Sequence, residues 1–151
     1  MKPRDRSSPS GFTLIEVLTV LAISAILITI AVPSYHYAVC RARRAEGRVA
    51  LMKLMQQQEQ IYTQRTSYVA FSAASSHPDQ QGFKWFSADT APTSAYEIEA
   101  SACEAMRISE CVVLSARPGT ERVNRSYADP HCGVLRLDSF GRKSAASGDC
   151  W

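Results

Sequence analysis

The feature that most constrains this chain is a long apolar run near its start. Phe12 to Val32 covers 21 residues, and Glu16 is the only charged residue among them. A helix of that length rises about 30 Å, which matches the hydrocarbon core of a bilayer. A strand of that length would be exceptional, although Val, Ile and Thr are frequent in the run. The run therefore predicts a membrane-spanning helix.

The flanks of the run match a secretory signal peptide on one side only. Lys2, Arg4 and Arg6 supply the basic residues that precede the apolar part of such a signal. The segment after the run, residues 31–35, reads Ala-Val-Pro-Ser-Tyr and is a poor small-x-small cleavage site. One interpretation is therefore a plain membrane anchor that the mature protein keeps.

A more specific pattern opens the run, where residues 11–16 read Gly-Phe-Thr-Leu-Ile-Glu. It resembles the hallmark of the type IV pilin and pseudopilin family, in which a basic leader ends in Gly and Phe-Thr-Leu-Ile-Glu opens an apolar helix. Pro33 also stands where such helices often carry a proline. The resemblance implies that a prepilin peptidase cleaves between Gly11 and Phe12 and methylates the new amino group of Phe12. Because Gly11 has no side chain, the backbone at this bond is easy to approach.

Glu16 needs an explanation, because a carboxylate inside a bilayer costs on the order of 2.5 kcal/mol or more. The predicted cleavage creates a positive α-amino group at Phe12, four residues away. The resemblance implies that Glu16 recruits the amino terminus of a neighbouring subunit during filament assembly, and such a partner charge offsets much of the burial cost. The alternative is an acid near the membrane edge that reaches the lipid headgroups.

The helix is expected to continue from Pro33 to about residue 65, because this segment is rich in Ala, Arg, Leu, Met and Gln. Pro33 and Gly47 are expected to mark a kink or a locally melted turn, since both weaken a helix interior. One stripe at helical spacing is expected to dock on a C-terminal domain. Its residues are Leu51, Leu54, Met55, Gln58, Ile61 and Tyr62.

Four arginines follow the apolar run: Arg41, Arg43, Arg44 and Arg48. They predict a solvated helix face or a face that meets anionic headgroups. Basic residues lie on both sides of the run, so the positive-inside rule does not fix the orientation. The late cysteines and the family resemblance place the C-terminal side outside the cytoplasm.

The C-terminal part reads as a loop followed by short strands. Residues 66–93 are rich in Ser, Ala and Gln and predict a long, partly packed loop. Alternating apolar and polar residues then predict strands near residues 96–101, 112–116, 135–138 and 142–145, with a turn at Ser139-Phe140-Gly141. The expected fold class is α+β and pilin-like, with the second half of the helix packed on a small antiparallel sheet. The expected divisions are a removed leader (1–11), a transmembrane or filament-core half-helix (12–33), a periplasmic half-helix (34–65) and a globular region (66–151).

Four cysteines in the last third, Cys103, Cys111, Cys132 and Cys150, favour disulfides and an oxidising compartment. A zinc site or reduced thiols are the alternative, but there is no C-x-x-C pair and His131 is the only nearby histidine. Three pairings exist, and the strand positions favour Cys103–Cys111 and Cys132–Cys150. Cys40 is expected to be unpaired within the chain, and a link to another subunit stays open.

The end of the chain adds a second resemblance. Residues 132–141 read Cys-Gly-Val-Leu-Arg-Leu-Asp-Ser-Phe-Gly, and Cys150-Trp151 closes the chain. This pattern resembles the C-terminal loop of a minor-pilin subgroup, in which a disulfide closes the region. Trp151 is expected to pin the terminus to the domain.

No catalytic or metal site is predicted, because the three histidines, His36, His77 and His131, are scattered and no phosphate-binding Gly-rich loop is present. Glu97 and Glu99 predict a solvated strand face. Neither enzyme activity nor a cofactor is therefore expected.

The resemblance implies a minor pilin of a type IV pilus, which supports assembly, adhesion and twitching motility. Its expected partners are the prepilin peptidase, other pilin subunits, the inner-membrane assembly machinery and, before assembly, lipid. Its expected location is the bacterial inner membrane with a periplasmic C-terminal domain, and then the extracellular pilus.

Two other functions stay open. One is a competence pilin that captures DNA, although nucleic acid is the less favoured partner. Six basic residues are candidates for a local patch: Arg117, Arg122, Arg125, Arg136, Arg142 and Lys143. The other is a pseudopilin of a type II secretion system, which ranks lower because such proteins often lack the cysteine-bracketed tail.

Overall fold

The computed structural model describes residues 11–151, so the predicted leader lies outside the described residues except for Gly11. The longest element is a helix, α1, which covers Leu14–Arg65 and has 52 residues. It passes through Pro33 and Gly47 without a break, so the predicted local melting is wrong. Pro33 removes one backbone hydrogen bond, and the turns on both sides keep theirs.

The chain divides into two compact units, and the first one ends at Val39. Large apolar side chains are exposed along its part of α1, and Phe12, which lies just before the helix, has 86% of its surface exposed. One 18-residue window of α1 has a mean hydropathy of 2.6, and none of it is buried in the fold. By length and composition, α1 is able to cross a membrane, as the apolar run predicts.

The second unit, Cys40–Trp151, contains a four-stranded antiparallel sheet in which consecutive strands pair. The strands are β1 (Tyr96–Ala102), β2 (Val112–Pro118), β3 (Leu135–Asp138) and β4 (Lys143–Ser144). The expected strands and the expected α+β fold class are therefore confirmed. A short helix, α2, covers Pro78–Gln81, and single-turn 3-10 helices cover Ala91–Thr93 and Gly148–Cys150.

The core lies between the second part of α1 and one face of the sheet. Leu51 and Leu54 of the predicted stripe are buried, and Met55, Ile61 and Tyr62 pack against the same cluster. The sheet contributes the inward-facing residues of its strands: Tyr96, Ile98, Ala100, Val112, Leu114, Ala116, Leu135 and Leu137. This alternation follows from the two-residue repeat of a strand.

The segment before β1 is more ordered than the expected loop. Isolated bridges pair Phe71 with Ala100 and Phe86 with Glu97, so the segment covers the outer edge of β1. A covered edge is protected from pairing with other chains. Phe71 and Phe83 are buried and stack with their ring centroids 4.6 Å apart, so this segment also builds the core.

Gln58 joins this segment to α1 through a buried pair of hydrogen bonds. Its side chain is 0% exposed. The amide nitrogen donates to the carbonyl oxygen of Val69 at 2.6 Å, and the amide oxygen accepts from the Val69 N–H at 2.9 Å. The side chain therefore satisfies both backbone groups of a residue that lies outside the sheet.

We expect Gln58→Ala to lower the free energy of unfolding by about 2–4 kcal/mol, because it leaves both backbone groups of Val69 without their partner. The measurement is urea unfolding of the full chain in detergent, followed by tryptophan fluorescence. Gln60→Ala is the control, because Gln60 is exposed on the same helix. Equal losses in the two variants would contradict this role of Gln58.

Candidate functional site

The predicted cleavage site lies in exposed, non-helical backbone. Gly11 and Phe12 precede the first residue of α1, and both are exposed. A Cβ atom added at Gly11 would meet nothing within 4 Å in the described structure. Packing among residues 11–151 therefore does not require a glycine at this position.

Glu16 belongs to a capping box at the start of α1. Its Oε2 atom accepts hydrogen bonds from the Thr13 N–H at 3.1 Å and from the Thr13 hydroxyl at 3.0 Å. The Thr13 hydroxyl oxygen in turn accepts from the Glu16 N–H at 3.4 Å. This reciprocal pattern satisfies amide groups that have no partner inside the helix. Thr-x-x-Glu before an apolar run is the sequence signature of a capping box, so residues 13–16 alone could have predicted it.

The capping box leaves half of the carboxylate available. Both bonds from Thr13 end on Oε2, and Oε1 accepts no hydrogen bond from residues 11–151. An ionised carboxylate accepts several hydrogen bonds, so Oε1 is able to take a donor from another molecule. Pro33, the other predicted assembly residue, lies about 25 Å further along the helix and is not part of this site.

The second unit has its own polar centre, at Arg44 and Asp129. The Nε and Nη2 atoms of Arg44 donate to the two oxygens of Asp129, each at 2.9 Å. Tyr96 donates its hydroxyl to the same carboxylate at 2.8 Å, and the Cys132 N–H donates at 3.1 Å. Asp129 therefore joins α1, β1 and the C-terminal disulfide region.

The Arg44–Asp129 pair differs from the expectation that the four arginines after the apolar run share one solvated helix face. Arg44 is largely buried against Asp129, because the connection from β2 to β3 brings the carboxylate to α1. Arg43 pairs with Glu46 at 3.2 Å, and Arg48 donates to the Cys150 carbonyl at 3.4 Å. Arg41 is exposed. The four arginines therefore do not form one solvated face.

The Asp129 carboxylate has an altered pKa with several causes. Burial alone raises the pKa of Asp129. The hydrogen bonds from Arg44, Tyr96 and the Cys132 N–H outweigh burial and leave the pKa below its ordinary value. The carboxylate is therefore ionised at neutral pH and pairs with the Arg44 guanidinium.

The structure forms the disulfides Cys103–Cys111 and Cys132–Cys150, with Cα atoms 5.4 and 5.7 Å apart. The second bond closes the C-terminal region, and this closure stabilises the fold by about 3 kcal/mol in the chain-entropy model. Cys40 is the one free cysteine of residues 11–151 and is half-buried. Trp151 donates its indole N–H to the Ser144 carbonyl at 3.0 Å, so the last residue is held against β4.

Comparisons with known proteins agree with these features. A family model described as type IV minor pilin ComP, DNA uptake sequence receptor, matches residues 33–136. A second model, the prokaryotic N-terminal methylation motif, matches residues 6–32. The first match covers more than half of the chain. This chain belongs to the type IV minor pilin family.

Individual relatives are more distant from this minor pilin. The type IV major pilin protein PilA of Myxococcus xanthus (strain DK1622) is 28% identical over 116 residues, which are 76% of this chain and 47% of PilA. The minor pilin thus spans about half the length of that curated relative. A solved type IV pilin from Shewanella oneidensis is 20% identical, with a TM-score of 0.47, over 74% of this chain and 97% of that chain.

Most of the basic residues that were candidates for a local patch have acidic partners in the minor pilin. Four of the six predicted arginines and lysines pair with acids: Arg117 with Glu99, Arg122 with Glu97, Arg125 with Glu121, and Arg142 with Asp138. The other two, Arg136 and Lys143, lie opposite Ser144 and Leu137 in the β3–β4 pair. They therefore project from opposite faces of the sheet.

The histidines of the minor pilin also stay apart. His77 lies beside Asp79 and His131 beside Asp149, while the ring of His36 contacts Tyr35 in the first unit. Glu99 pairs with Arg117 of β2, and Glu97 pairs with Arg122 in the connection after β2. Pilins are structural proteins.

We expect Asp129→Asn to lower the free energy of unfolding by about 3 kcal/mol at pH 7, because it leaves the largely buried Arg44 charge without its counterion. The folded pKa of Asp129 lies below the unfolded value of about 3.9, so its contribution is present above that value. It is lost as the pH falls through the folded pKa. The stability of the wild type should therefore fall more steeply below pH 5 than that of the variant.

The measurement is urea unfolding of the full chain between pH 7 and pH 3. Glu121→Gln is the control, since Glu121 and Arg125 form an exposed pair whose loss should cost under about 1 kcal/mol. Parallel pH profiles for the wild type and Asp129→Asn would contradict the assignment.

Proposed function

We propose that a prepilin peptidase cuts this minor pilin between Gly11 and Phe12 and methylates the new amino group of Phe12. The exposed backbone before α1 supports this proposal, and so does the match of residues 6–32 to an N-terminal methylation motif. The proposed divisions are the removed leader (1–11), the membrane or filament-core half-helix (12–33), the periplasmic half-helix (34–65) and the globular region (66–151).

Glu16 is the residue that brings the processed subunit into the filament. In the bilayer, the capping box with Thr13 partly compensates the desolvation of the carboxylate. The free Oε1 then takes the positive amino group of Phe12 from a neighbouring subunit. Opposite charges in a medium of low dielectric attract strongly, so a single pair is able to set the position of one helix against another.

The apolar part of α1 also supports a location and a role for this subunit. The exposed apolar surface of the first unit is held by the inner membrane, with the cysteine-containing unit in the periplasm. After assembly, neighbouring helices replace the lipid, and the subunit becomes part of an extracellular pilus that supports assembly, adhesion and twitching motility. The family match favours this role over that of a type II secretion pseudopilin.

We expect Glu16→Ala to leave cleavage and membrane insertion unchanged, because the substitution makes the helix more apolar, but to abolish incorporation into pili. The measurement is an immunoblot of sheared pili and of membranes from cells that express each form. Thr19→Ala is the control, since Thr19 lies one turn away and its hydroxyl donates only to the Glu16 carbonyl in the described structure. Wild-type amounts of Glu16→Ala in sheared pili would contradict the role of Glu16.

A second candidate function is DNA capture, which the description of the matching family names. The paired arginines of the second unit offer few free cations for it, and Arg136 is one of them in the described residues. Under this function, duplex DNA binding by the full chain in detergent weakens with salt. Arg136→Ala lowers the salt slope by about one, while Arg125→Ala, the control, changes it less.

Deletion of the gene separates the two functions. Loss of surface pili supports the assembly role, whereas normal pili with lost DNA uptake support the receptor role. Absence of salt-dependent DNA binding would contradict DNA capture and leave the assembly role standing.

A further inference from the structure

A groove lies on the second unit between α1 and the segment at residues 82–87, with a volume of about 510 Å³. Clefts that bind ligands have volumes of about this size. Two hydrogen bonds join the walls of the groove. The Ser87 hydroxyl donates to Glu46 at 3.2 Å, and the Gln57 amide donates to the Gly82 carbonyl at 3.1 Å. These bonds hold the two walls at a set separation.

The lining of this groove, called here the lysine groove, combines apolar surface with positive charge. Lys53 and Lys84 are both exposed, and neither forms an ion pair with another of residues 11–151. The acid of the lining, Glu46, already pairs with Arg43. The groove therefore favours an occupant with an apolar side chain and a negative charge. Its apolar lining residues are Val49, Ala50, Leu54 and Phe86.

The exposed apolar side chains of the second unit offer such an occupant. Outside α1, the large ones are Met106 and Phe140. The Arg142 guanidinium lies over the Phe140 ring, 5.2 Å from its centroid, so this surface carries a positive charge. Met106 instead comes two residues after Glu104, an exposed acid that pairs with no cation among residues 11–151. Charge complementarity therefore selects Met106 and Glu104 over Phe140.

Glu104 and Met106 lie in a docking loop, defined here as residues 103–111, that the Cys103–Cys111 disulfide closes. The Met106 N–H donates to the Cys103 carbonyl at 3.1 Å, and Ala105 has a left-handed φ of 59°, so the loop makes a tight turn. A loop that is already held in one shape loses little conformational freedom on binding. The flexible methionine side chain fills irregular apolar gaps well.

Within one chain, the docking loop does not fill the lysine groove. None of its residues lines the groove. The pairing of β1 with β2 continues to Ala102 and Val112, so the loop is held at the end of this hairpin. An occupant with these side chains therefore comes from another copy of the chain.

We propose that the docking loop of one copy binds in the lysine groove of a second copy. Met106 packs against Phe86, and the Glu104 carboxylate lies beside the two groove lysines. Because the loop and the groove are different surfaces of one chain, the contact is heterologous and repeats from copy to copy. The inference does not rest on the proposed role of Glu16, since both surfaces belong to the second unit.

A carbodiimide identifies this contact directly, because it joins a glutamate carboxyl to an adjacent lysine amine with loss of water. The protein is an equal mixture of unlabelled and isotope-labelled full chains in excess detergent, all with Cys40→Ala to prevent disulfides between chains. We expect mixed-label peptides that join Glu104 to Lys53 or Lys84, found by mass spectrometry. Absence of these mixed-label peptides, or mixed-label links from the groove lysines to a different acid, would overturn the proposal.

Charge reversal tests whether the contact contributes to association, measured by sedimentation in density-matched detergent. We expect Glu104→Lys, and separately the double variant Lys53→Glu with Lys84→Glu, to weaken association about tenfold or more, since like charges then meet. An equal mixture of the two variants should associate as the wild type does, because opposite charges meet again.

Glu121→Lys is the control, because Glu121 is an exposed acid outside both surfaces, and we expect it to leave association unchanged. Circular dichroism of each variant checks that the fold is retained. Association through the apolar helix alone would be equal in all variants, and that result would overturn the proposal. A mixture that associates as weakly as its two components would overturn it as well.

Discussion

The exposed apolar surface of the first unit is the constraint on which the rest of the structure depends. Phe12 lies just before α1 and residues 14–32 lie in it, and the large apolar side chains of this segment are exposed in the described chain. Water cannot accommodate so much contiguous apolar surface in a monomeric protein. The helix therefore needs lipid or other helices, and a filament subunit exchanges one for the other. The carboxylate of Glu16 is the one charged group of this run, and its capping box keeps it in a defined position.

In the second unit, several contacts attach the small sheet to the second part of α1. Gly47 allows a close approach, because a Cβ atom there would come within 2.9 Å of the Tyr96 ring. The hydroxyl of the same tyrosine reaches Asp129, which also holds Arg44 and the Cys132 N–H. Apolar burial, one ion pair and one disulfide thus stabilise the same junction. Loss of any one of them would weaken the attachment of the sheet to α1.

Local pattern was enough to predict the elements of this fold. The apolar run, the stripe around Leu51 and the alternation near Tyr96 report short-range periodicity, which the sequence carries directly. The number and positions of the late cysteines indicated disulfides for the same reason. At the helix start, Thr13 and Glu16 also form a local pattern, so the capping box is predictable from the sequence as well.

Long-range partners were not predictable in this way. Arg44 and Asp129 are 85 residues apart, so nothing in the neighbouring sequence shows that they meet. Gly47 was expected to weaken the helix, because the sequence around it does not show its contact with Tyr96. That tyrosine lies in a strand and comes 49 residues later in the chain. Gln58 and the basic residues of the sheet follow the same rule, since their partners are set by the packing of separate elements.

The most direct test of this account is the amino terminus of the exported protein, measured by mass spectrometry of sheared pili and of membranes. The account predicts a chain that begins at Phe12, carries one methyl group on its amino nitrogen and retains the complete apolar helix. Gly11→Trp is the matched control, because a bulky residue at the cut should leave the full-length precursor. A mature chain that begins elsewhere, or that lacks the helix, would contradict the account.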